Sequence, residues 1–276
     1  MSVNLEEHSK EAVSHPWFEK LARFGFAARG LIYIVIGILA TQTAFSSGGK
    51  TTGSSGALVE IVRQPFGKIL LGILTVGIIG FVLWRLVQGI LDPEHSEIDA
   101  KRILKRIGYI SSAIAYGGLA LTAIQLIMGS GGGRNKDSTQ DWTARVMSQP
   151  FGIWLVGIGG AIAIIIGGTY IYKAWKEKFR KKWKLDQMSR KERKWATYIG
   201  KFGLIARGTV FVIIGIFLIQ ASLQSDPSEA RGLGGTLSTL AQQPFGSWIL
   251  GIVAFGLVAY GIHCMFEARY RRIIVN

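Results

Sequence analysis

Long apolar segments alternate with short polar ones along most of the chain, and this alternation sets the expected architecture. Six apolar segments are long enough to cross the hydrocarbon core of a bilayer, which takes about 20 helical residues. They are residues 24–43, 67–90, 107–129, 151–172, 202–223 and 246–266. A soluble amphipathic helix would place polar residues at every turn, and 31–40 offers no such stripe. The pattern therefore predicts an all-α polytopic membrane protein with six transmembrane helices.

A four-residue motif opens the second, fourth and sixth of these segments. Its copies are Gln64-Pro65-Phe66-Gly67, Gln149-Pro150-Phe151-Gly152 and Gln243-Pro244-Phe245-Gly246. Proline suits the first position of a helix, where its missing N–H costs nothing, and a glutamine side chain can cap the exposed turn. The motif therefore predicts the start of a membrane-spanning helix, with a ring of three glutamines at the outer face. A ring of amides that binds a ligand is the alternative.

The repeated motif divides the chain into a polar tail and three tandem repeats. The tail is 1–16, and the repeats are 17–95, 96–185 and 186–276. Each repeat has two spans and so enters and leaves on the same side of the membrane, which makes the repeats parallel. Three helical hairpins around a pseudo-threefold axis are the expected packing. A short amphipathic helix precedes each motif, and the outer membrane interface is its expected position.

Positive charge is distributed unevenly about the spans. The chain has 32 Lys and Arg against 17 Asp and Glu, a net charge of +15. Seven basic residues lie in or beside the first, third and fifth connections: Lys50, Arg63, Lys68, Arg134, Lys136, Arg145 and Arg231. The remainder flank the opposite ends of the spans, which predicts that both termini are cytoplasmic. The charge thus reports topology, and no nucleic-acid partner is expected.

Anionic lipids at the cytoplasmic face are the expected partners of this basic surface. Trp175, Phe179 and Trp183 recur every four residues among six lysines. This spacing predicts an amphipathic basic helix that lies on the membrane surface. Farther along, Ser189 and Glu192 have the spacing of a capping box, as do Ser96 and Asp99, so spans three and five should begin well before the bilayer.

The first spans of the repeats align without gaps. Ala28-Arg29-Gly30 in repeat one matches Ala206-Arg207-Gly208 in repeat three, whereas repeat two has Ser111-Ser112-Ala113. A first span of this type, paired with a Gln-Pro-Phe-Gly start to the second, resembles the bacterial membrane family called domain of unknown function 1206. The resemblance covers roughly residues 17–272. It implies a six-span protein of the bacterial inner (cytoplasmic) membrane, and it implies no activity or catalytic residue.

Arg29 and Arg207 are the charges that need an explanation, because an arginine inside a span is rare without a partner or water. One interpretation places them with Ser112 around the central axis, as an anion or lipid-phosphate site. The other is snorkelling, in which each guanidinium group reaches the membrane interface. The short distance along the helix from Lys20 and Arg23 favours snorkelling.

Catalysis has little support in the sequence. It contains no His-Glu-x-x-His segment, phosphate-binding glycine loop or cysteine pair, and Cys264 is its one cysteine. His263 is the one intramembrane histidine, and Glu267 is the one carboxylate near a span interior. We therefore expect no catalytic residue, no metal and no cofactor. Two functions stay open. One is a scaffold or accessory subunit for membrane proteins or lipids, with membrane-protein partners or further copies of itself, and the other is a channel or carrier for a small solute or anion.

Overall fold

Helices make up nearly all of the computed structural model, which describes residues 16–45, 51–90, 100–129 and 138–272. The helices are α1 (Pro16–Phe45), α2 (Ser54–Val62), α3 (Gly67–Ile90), α4 (Ala100–Ile127), α5 (Ser138–Met147), α6 (Gly152–Trp175), α7 (Arg190–Gln224), α8 (Leu233–Ala241) and α9 (Gly246–Tyr270), with short 3₁₀ helices at Lys178–Lys182, Leu185–Gln187 and Pro227–Glu229. In these described ranges, α1, α3, α4, α6, α7 and α9 are long and apolar enough to cross a membrane. The predicted six-helix membrane fold is confirmed.

The six spans form a ring because the first span of each repeat packs against the second span of another repeat. The main contacts join α1 to α9, α4 to α3 and α7 to α6. Two of these crossings bring glycine backbones together. A Cβ added at Gly30 would lie 2.7 Å from the carbonyl oxygen of Gly261, and one at Gly208 would lie 2.7 Å from that of Gly167. Small residues therefore let the helices approach closely, as expected in a membrane.

The ring is not closed in all three repeats. The two spans of repeat one (α1 and α3) pack together, as do those of repeat three (α7 and α9), but α4 and α6 of repeat two are not among the packed pairs. A Cβ added at Gly25 would lie 2.6 Å from the amide nitrogen of Phe81, whereas one at the equivalent Gly108 would have nothing within 4 Å. The three repeats therefore have the predicted order of helices, but the two spans of repeat two do not pack together as those of repeats one and three do. We call the space between α4 and α6 the lateral opening.

The short helices α2, α5 and α8 lie together at one end of the ring, which we call the loop end. Gly53 at the start of α2 meets Gly234 of α8, where an added Cβ would lie 2.8 Å from the Gly53 nitrogen. Gly232, just before α8, meets Thr139 of α5. In addition, the Gln140 amide donates a hydrogen bond of 2.9 Å to the Ser228 carbonyl. These contacts tie the three short helices into a cover over the loop end.

The Gln-Pro-Phe-Gly motif forms a tight turn between each short helix and the span that follows. The glycine amides of the three copies donate to the glutamine carbonyls at 2.8, 2.9 and 2.7 Å. The phenylalanines have φ of 60–61°, in the left-handed region, as the third residue of a type II turn requires. A Cβ at Gly67 would lie 2.5 Å from the Val62 carbonyl oxygen. Glycine is therefore needed because the span starts against the end of the short helix.

This turn corrects two details of the predicted helix starts. The spans begin at the motif glycines, so Pro65, Pro150 and Pro244 lie in the turn and are not the first helical residues. Gln149 and Gln243 contribute their backbone carbonyls, and no side chain caps the start of α6 or α9. The phenylalanine side chains point outward and are 81–82% exposed, which suits aromatic anchors at a membrane interface.

The opposite end of the ring, where α1, α4 and α7 begin, carries most of the basic residues, and we call it the basic end. Its connections are more folded than the sequence predicts. The helix expected around Trp175, Phe179 and Trp183 is wrong, because α6 ends at Trp175 and a 3₁₀ helix follows. Phe179 and Trp183 are buried and pack on His263, with ring centroids 5.4 and 5.6 Å away. The two rings are therefore buried against the bundle and do not lie on the membrane surface.

Basic residues join the start of each first span to the end of its neighbour. Arg23 donates to the carbonyls of Ala268 and Arg269 at the end of α9, and Arg106 donates to those of Gly89 and Ile90 at the end of α3. Lys201 holds the equivalent position and bonds Glu177, just after α6, at 3.1 Å. A positive group suits a helix C-terminus, where carbonyls lack partners. The sequence signal for these contacts was the basic residue that stands two positions before each of Gly25, Gly108 and Gly203.

The start of α7 agrees with the sequence. Ser189 accepts from the Glu192 amide at 3.2 Å, and the Glu192 carboxylate accepts from the Ser189 amide at 2.8 Å, so the predicted capping box is confirmed. From there α7 runs without a break to Gln224. The matching prediction for Ser96 and Asp99 lies outside the described residues.

Candidate functional site

Arg29 and Arg207 lie inside the ring and not at its outer wall. Their exposed fractions are 3% and 4%, so neither guanidinium group reaches the membrane interface. Snorkelling, which the sequence favoured, is therefore wrong. The close crossings at Gly30 and Gly208 explain why the arginine side chains point into the ring. Each glycine faces the neighbouring helix, and the arginine just before it lies about 100° around the helix.

Aromatic rings surround both guanidinium groups. The Arg29 Cζ lies 5.0 Å from the Phe81 ring centroid, 5.6 Å from that of Tyr116 and 5.2 Å from that of Tyr260. These rings belong to three different helices, α3, α4 and α9. Phe81 and Tyr260 hold equivalent positions in repeats one and three, so two of these three contacts follow from the repeated sequence.

Arg207 has a similar environment and also contacts Tyr260. Its Cζ lies 4.4 Å from the Tyr260 centroid, 4.7 Å from that of Tyr33 and 5.0 Å from that of Tyr170. The Phe211 ring, one turn along α7, is 5.1 Å away. The two arginines thus share Tyr260 between them. Together with the buried rings of Tyr33 and Tyr260, they fill the centre of the ring at this level.

No carboxylate pairs with either arginine in the described part of the chain. Glu267, the acidic residue inside the basic end of the ring, instead bonds Arg271 at 2.6 Å. The Nε atoms of Arg29 and Arg207 and one Nη atom of Arg207 are buried without a hydrogen-bond partner. We call Arg29 and Arg207 with the rings of Tyr116 and Tyr170 the arginine site.

The contacts with the aromatic rings do not offset the free-energy cost of burying the two guanidinium groups. A desolvated cation–π contact contributes about 2 kcal/mol, and a ring face accepts few of the five N–H donors of a guanidinium group. Removing an ion from water costs several kcal/mol, and two like charges facing one ring repel each other. The rings therefore reduce the cost of burial without neutralising it, so the site has the chemistry to bind an anion.

The arginine site adjoins the lateral opening. Tyr116 belongs to α4 and Tyr170 to α6, the two helices on either side of the opening, and both residues are half-buried. Each ring therefore contacts an arginine and is also partly exposed. Ser112, the third predicted member of the site, lies on α4 at the position equivalent to the two arginines and is also half-buried. The serine is uncharged, so repeat two adds no third cation to the site.

A third buried arginine was missed as a site residue. Arg85 of α3 is 9% exposed, and its Cζ lies 4.9 Å from the Phe81 ring centroid and 5.1 Å from that of Tyr109. It donates to the Gln88 side-chain oxygen at 3.0 Å. A signal was present, since Arg85 lies four residues after Phe81 and so on the same face of α3.

The other predicted residues do not join this site. Gln64, Gln149 and Gln243 lie in the turns at the loop end, and each is exposed. His263 is buried as expected for a packing residue, but its Nδ1 atom has no hydrogen-bond partner. No group of three His, Cys, Asp or Glu in the described residues could hold a metal ion.

A cavity of about 320 Å³ lies at the basic end, apart from the arginines. It is lined by Glu177, Arg180, Thr197, Tyr198 and the first residues of α7. Hydrogen bonds from Arg180 and Lys201 hold the pKa of the Glu177 carboxyl below its usual value. This cavity is open, and its acidic residue is paired with Arg180 and Lys201.

The fold and the site define a six-span membrane protein, built from three tandem two-helix repeats, that holds uncompensated arginines in its interior. The model of the family described as Domain of Unknown Function (DUF1206) matches residues 24–92, 107–177 and 202–271, one match for each repeat. The chain belongs to this family. It is 36% identical over 258 residues to the uncharacterized protein YxxB of Bacillus subtilis (strain 168), which covers 94% of this chain and 93% of that protein. No solved structure matches the chain.

Proposed function

We propose that the protein is a non-enzymatic accessory or scaffold protein of the bacterial inner membrane that binds an anionic phospholipid through its lateral opening. The phosphate lies between Arg29 and Arg207, and the acyl chains lie along α4 and α6. The observation that carries the proposal is the pair of buried guanidinium groups without a carboxylate partner. Charge complementarity then selects an anionic occupant, and the surrounding bilayer supplies anionic lipids.

The walls of the opening suit acyl chains. Ile114 and Leu121 on α4 are 71% and 62% exposed, and Ile158 and Ile165 on α6 are 55% and 46% exposed. A phosphate reaches the guanidinium groups from here between the rings of Tyr116 and Tyr170. A bound lipid would also fill the space that helix packing fills in the other two repeats.

The positive charge at the basic end supports a cytoplasmic location for both termini, as the distribution of Lys and Arg indicates. The lipid then comes from the inner leaflet, where anionic headgroups attract basic pockets between spans. A channel along the central axis is the weaker proposal. The axis is filled by Tyr33, Tyr260 and the arginines, and the short helices cover its loop end.

The test compares lipid binding by two double variants that remove the same charge. In Arg29→Gln/Arg207→Gln, the number of phosphatidylglycerol molecules retained in native mass spectrometry should fall, with at least about a tenfold weaker affinity, equivalent to about 1.4 kcal/mol. The matched control is Arg190→Gln/Arg269→Gln, because both residues are exposed at the basic end. Equal losses in the two variants would mean that only surface charge attracts the lipid, and the proposal would fail.

A further inference from the structure

A second layer of positive charge lies beside the arginine site. Phe81 separates Arg29 from Arg85, whose Cζ atoms lie 5.0 and 4.9 Å from its ring centroid. Across the opening, Tyr170 separates Arg207, at 5.0 Å, from Lys173, whose Nζ lies 5.8 Å from the same ring. Each inner arginine thus shares a ring with one outer cation.

The outer cations are displaced toward the basic end by about one helical turn. Arg85 lies four residues beyond Phe81 on α3, a rise of about 6 Å, and Lys173 lies three residues beyond Tyr170 on α6, a rise of about 4.5 Å. Both helices run from the loop end to the basic end. Arg85 and Tyr170 also hold equivalent positions in their repeats. The four cations therefore form two levels on the two sides of the opening.

The outer level is also short of negative charge. No ion pair joins Arg85 or Lys173 to a carboxylate in the described ranges, and the Arg85 Nε has no hydrogen-bond partner. Gln88 accepts from Arg85, and its own amide nitrogen is buried without an acceptor. This level therefore offers two cations without a carboxylate partner in the described ranges and one buried amide nitrogen without an acceptor.

We infer that the lipid in this site carries two phosphate groups in one headgroup. One phosphate lies between Arg29 and Arg207, and the second lies about one helical turn nearer the basic end, between Arg85 and Lys173. This inference rests on the proposed function and adds the class of headgroup. A lipid with a single phosphate balances the inner level alone and leaves the outer level unpaired.

The experiment compares diphosphatidylglycerol, which has two phosphates, with phosphatidylglycerol, which has one. The full-length protein in neutral detergent is titrated with each lipid, and affinity is measured by native mass spectrometry and by the shift in melting temperature. The wild-type protein should bind diphosphatidylglycerol at least about tenfold more tightly, about 1.4 kcal/mol. Phosphatidylglycerol is tested at twice the concentration, so that the total phosphate is matched.

Variants of the outer level separate this inference from the proposed function. Arg85→Gln/Lys173→Gln should lose the preference for two phosphates while binding phosphatidylglycerol as the wild type does. Lys173→Gln alone changes an exposed side chain, so it keeps the test valid if the double variant does not fold. The matched control is Lys176→Gln/Lys181→Gln, which removes two exposed lysines from the same end of the molecule.

Each outcome supports one conclusion. If the preference survives in the outer variants, or if the wild type has none, the two-phosphate inference is overturned and binding at Arg29 and Arg207 stands. If phosphatidylglycerol binding is also independent of Arg29 and Arg207, the proposed function fails. Inorganic pyrophosphate is the third probe, and its displacement of bound lipid at similar concentration would identify a site for a free anion and would overturn the lipid assignment.

Discussion

Repeats one and three are closed, and repeat two is open, although all three begin their second span with the same four-residue motif. In the closed repeats the first span rests on the backbone of the second. A Cβ at Gly25 would lie 2.6 Å from the Phe81 nitrogen, and one at Gly203 would lie 2.5 Å from the Tyr260 Cα. Gly108 occupies the same position in repeat two and has no such neighbour.

The physical reason lies one layer deeper in the interface. Gly77 leaves room for the Ala28 methyl group, which an added Cβ would approach to 2.6 Å, and Gly256 does the same for Ala206. Counted from the motif, the equivalent residue of repeat two is Ile162. A branched side chain in place of a hydrogen keeps α4 and α6 apart, because helices in a bilayer associate through close packing of small residues.

Repeat two therefore differs from the other two in both packing and charge: in the described part of the chain its two spans are not packed together, and it has no buried arginine in its first span. Repeat two lacks an arginine at Ser112 and lacks the glycine at Ile162. Because of the first change, repeat two contributes no third arginine to the interior, and because of the second its two spans stay apart at the lateral opening. The charges nearest the opening, Arg29 and Arg207, come from the closed repeats.

The largest expected effect comes from breaking a closed repeat. Gly203→Ile should prevent accumulation of folded protein. Overpacking lowers the free energy of unfolding by about 1–3 kcal/mol, and a clash with backbone atoms should have an effect at the upper end of this range. Gly108→Ile is the matched change in the open repeat and should leave the melting temperature in detergent within a few degrees of the wild type. Equal sensitivity at both positions would show that repeat two is closed as well.

The second effect concerns the charge at the centre. Arg207→Met replaces the guanidinium group with an apolar side chain of similar reach, so the lipid-free protein should melt at the same temperature or higher, because an uncompensated buried charge is removed. Added phosphatidylglycerol should stabilise the wild type by about 2.7 kcal/mol at 100 times the dissociation constant. The variant should lose most of this gain. A large loss of stability without lipid would instead identify Arg207 as a structural residue.

A smaller effect is expected from closing the open repeat. Ile162→Gly/Ser111→Ala introduces the residues of the closed repeats, so α4 and α6 should approach and retained phosphatidylglycerol should fall about threefold, an energy change below about 1 kcal/mol. Ile153→Gly makes the same replacement on the opposite side of α6, nine residues before Ile162. Its lipid binding should match that of the wild type, and a shared loss would attribute the effect to a weakened helix.

The smallest effect is expected at the α6–α7 connection, where Glu177 bonds Arg180 at 2.5 Å and Lys201 at 3.1 Å. Because these bonds lower the pKa of the Glu177 carboxyl below its ordinary value of 4.5, their contribution is present above that value and is lost as the pH falls through the lowered pKa. Partly exposed ion pairs contribute less than about 1 kcal/mol. Glu177→Gln should therefore melt slightly below the wild type at pH 7, and this difference should shrink as the pH is lowered below 4.5.

Six spans, three repeats and the small-residue crossings could be predicted from the sequence, because they depend on properties of neighbouring residues. The length of an apolar segment decides whether it crosses a bilayer, and the recurrence of Gln-Pro-Phe-Gly marks where each second span begins. The capping box at Ser189 was predictable for the same reason, since both of its hydrogen bonds lie within four residues.

Only the tertiary structure decided where the charges point and which repeat is open. An arginine side chain is long enough to reach the interface or to turn inward, and the choice depends on the rotation of its helix, which the crossings at Gly30 and Gly208 set. The opening depends on how Ile162 of α6 is placed relative to Ser111 of α4, which lies 51 residues earlier in the chain. The folding of Phe179 and Trp183 onto His263 likewise joins residues that are distant in sequence. Local pattern determines which segments enter the membrane, but contacts between distant segments determine what each segment faces there.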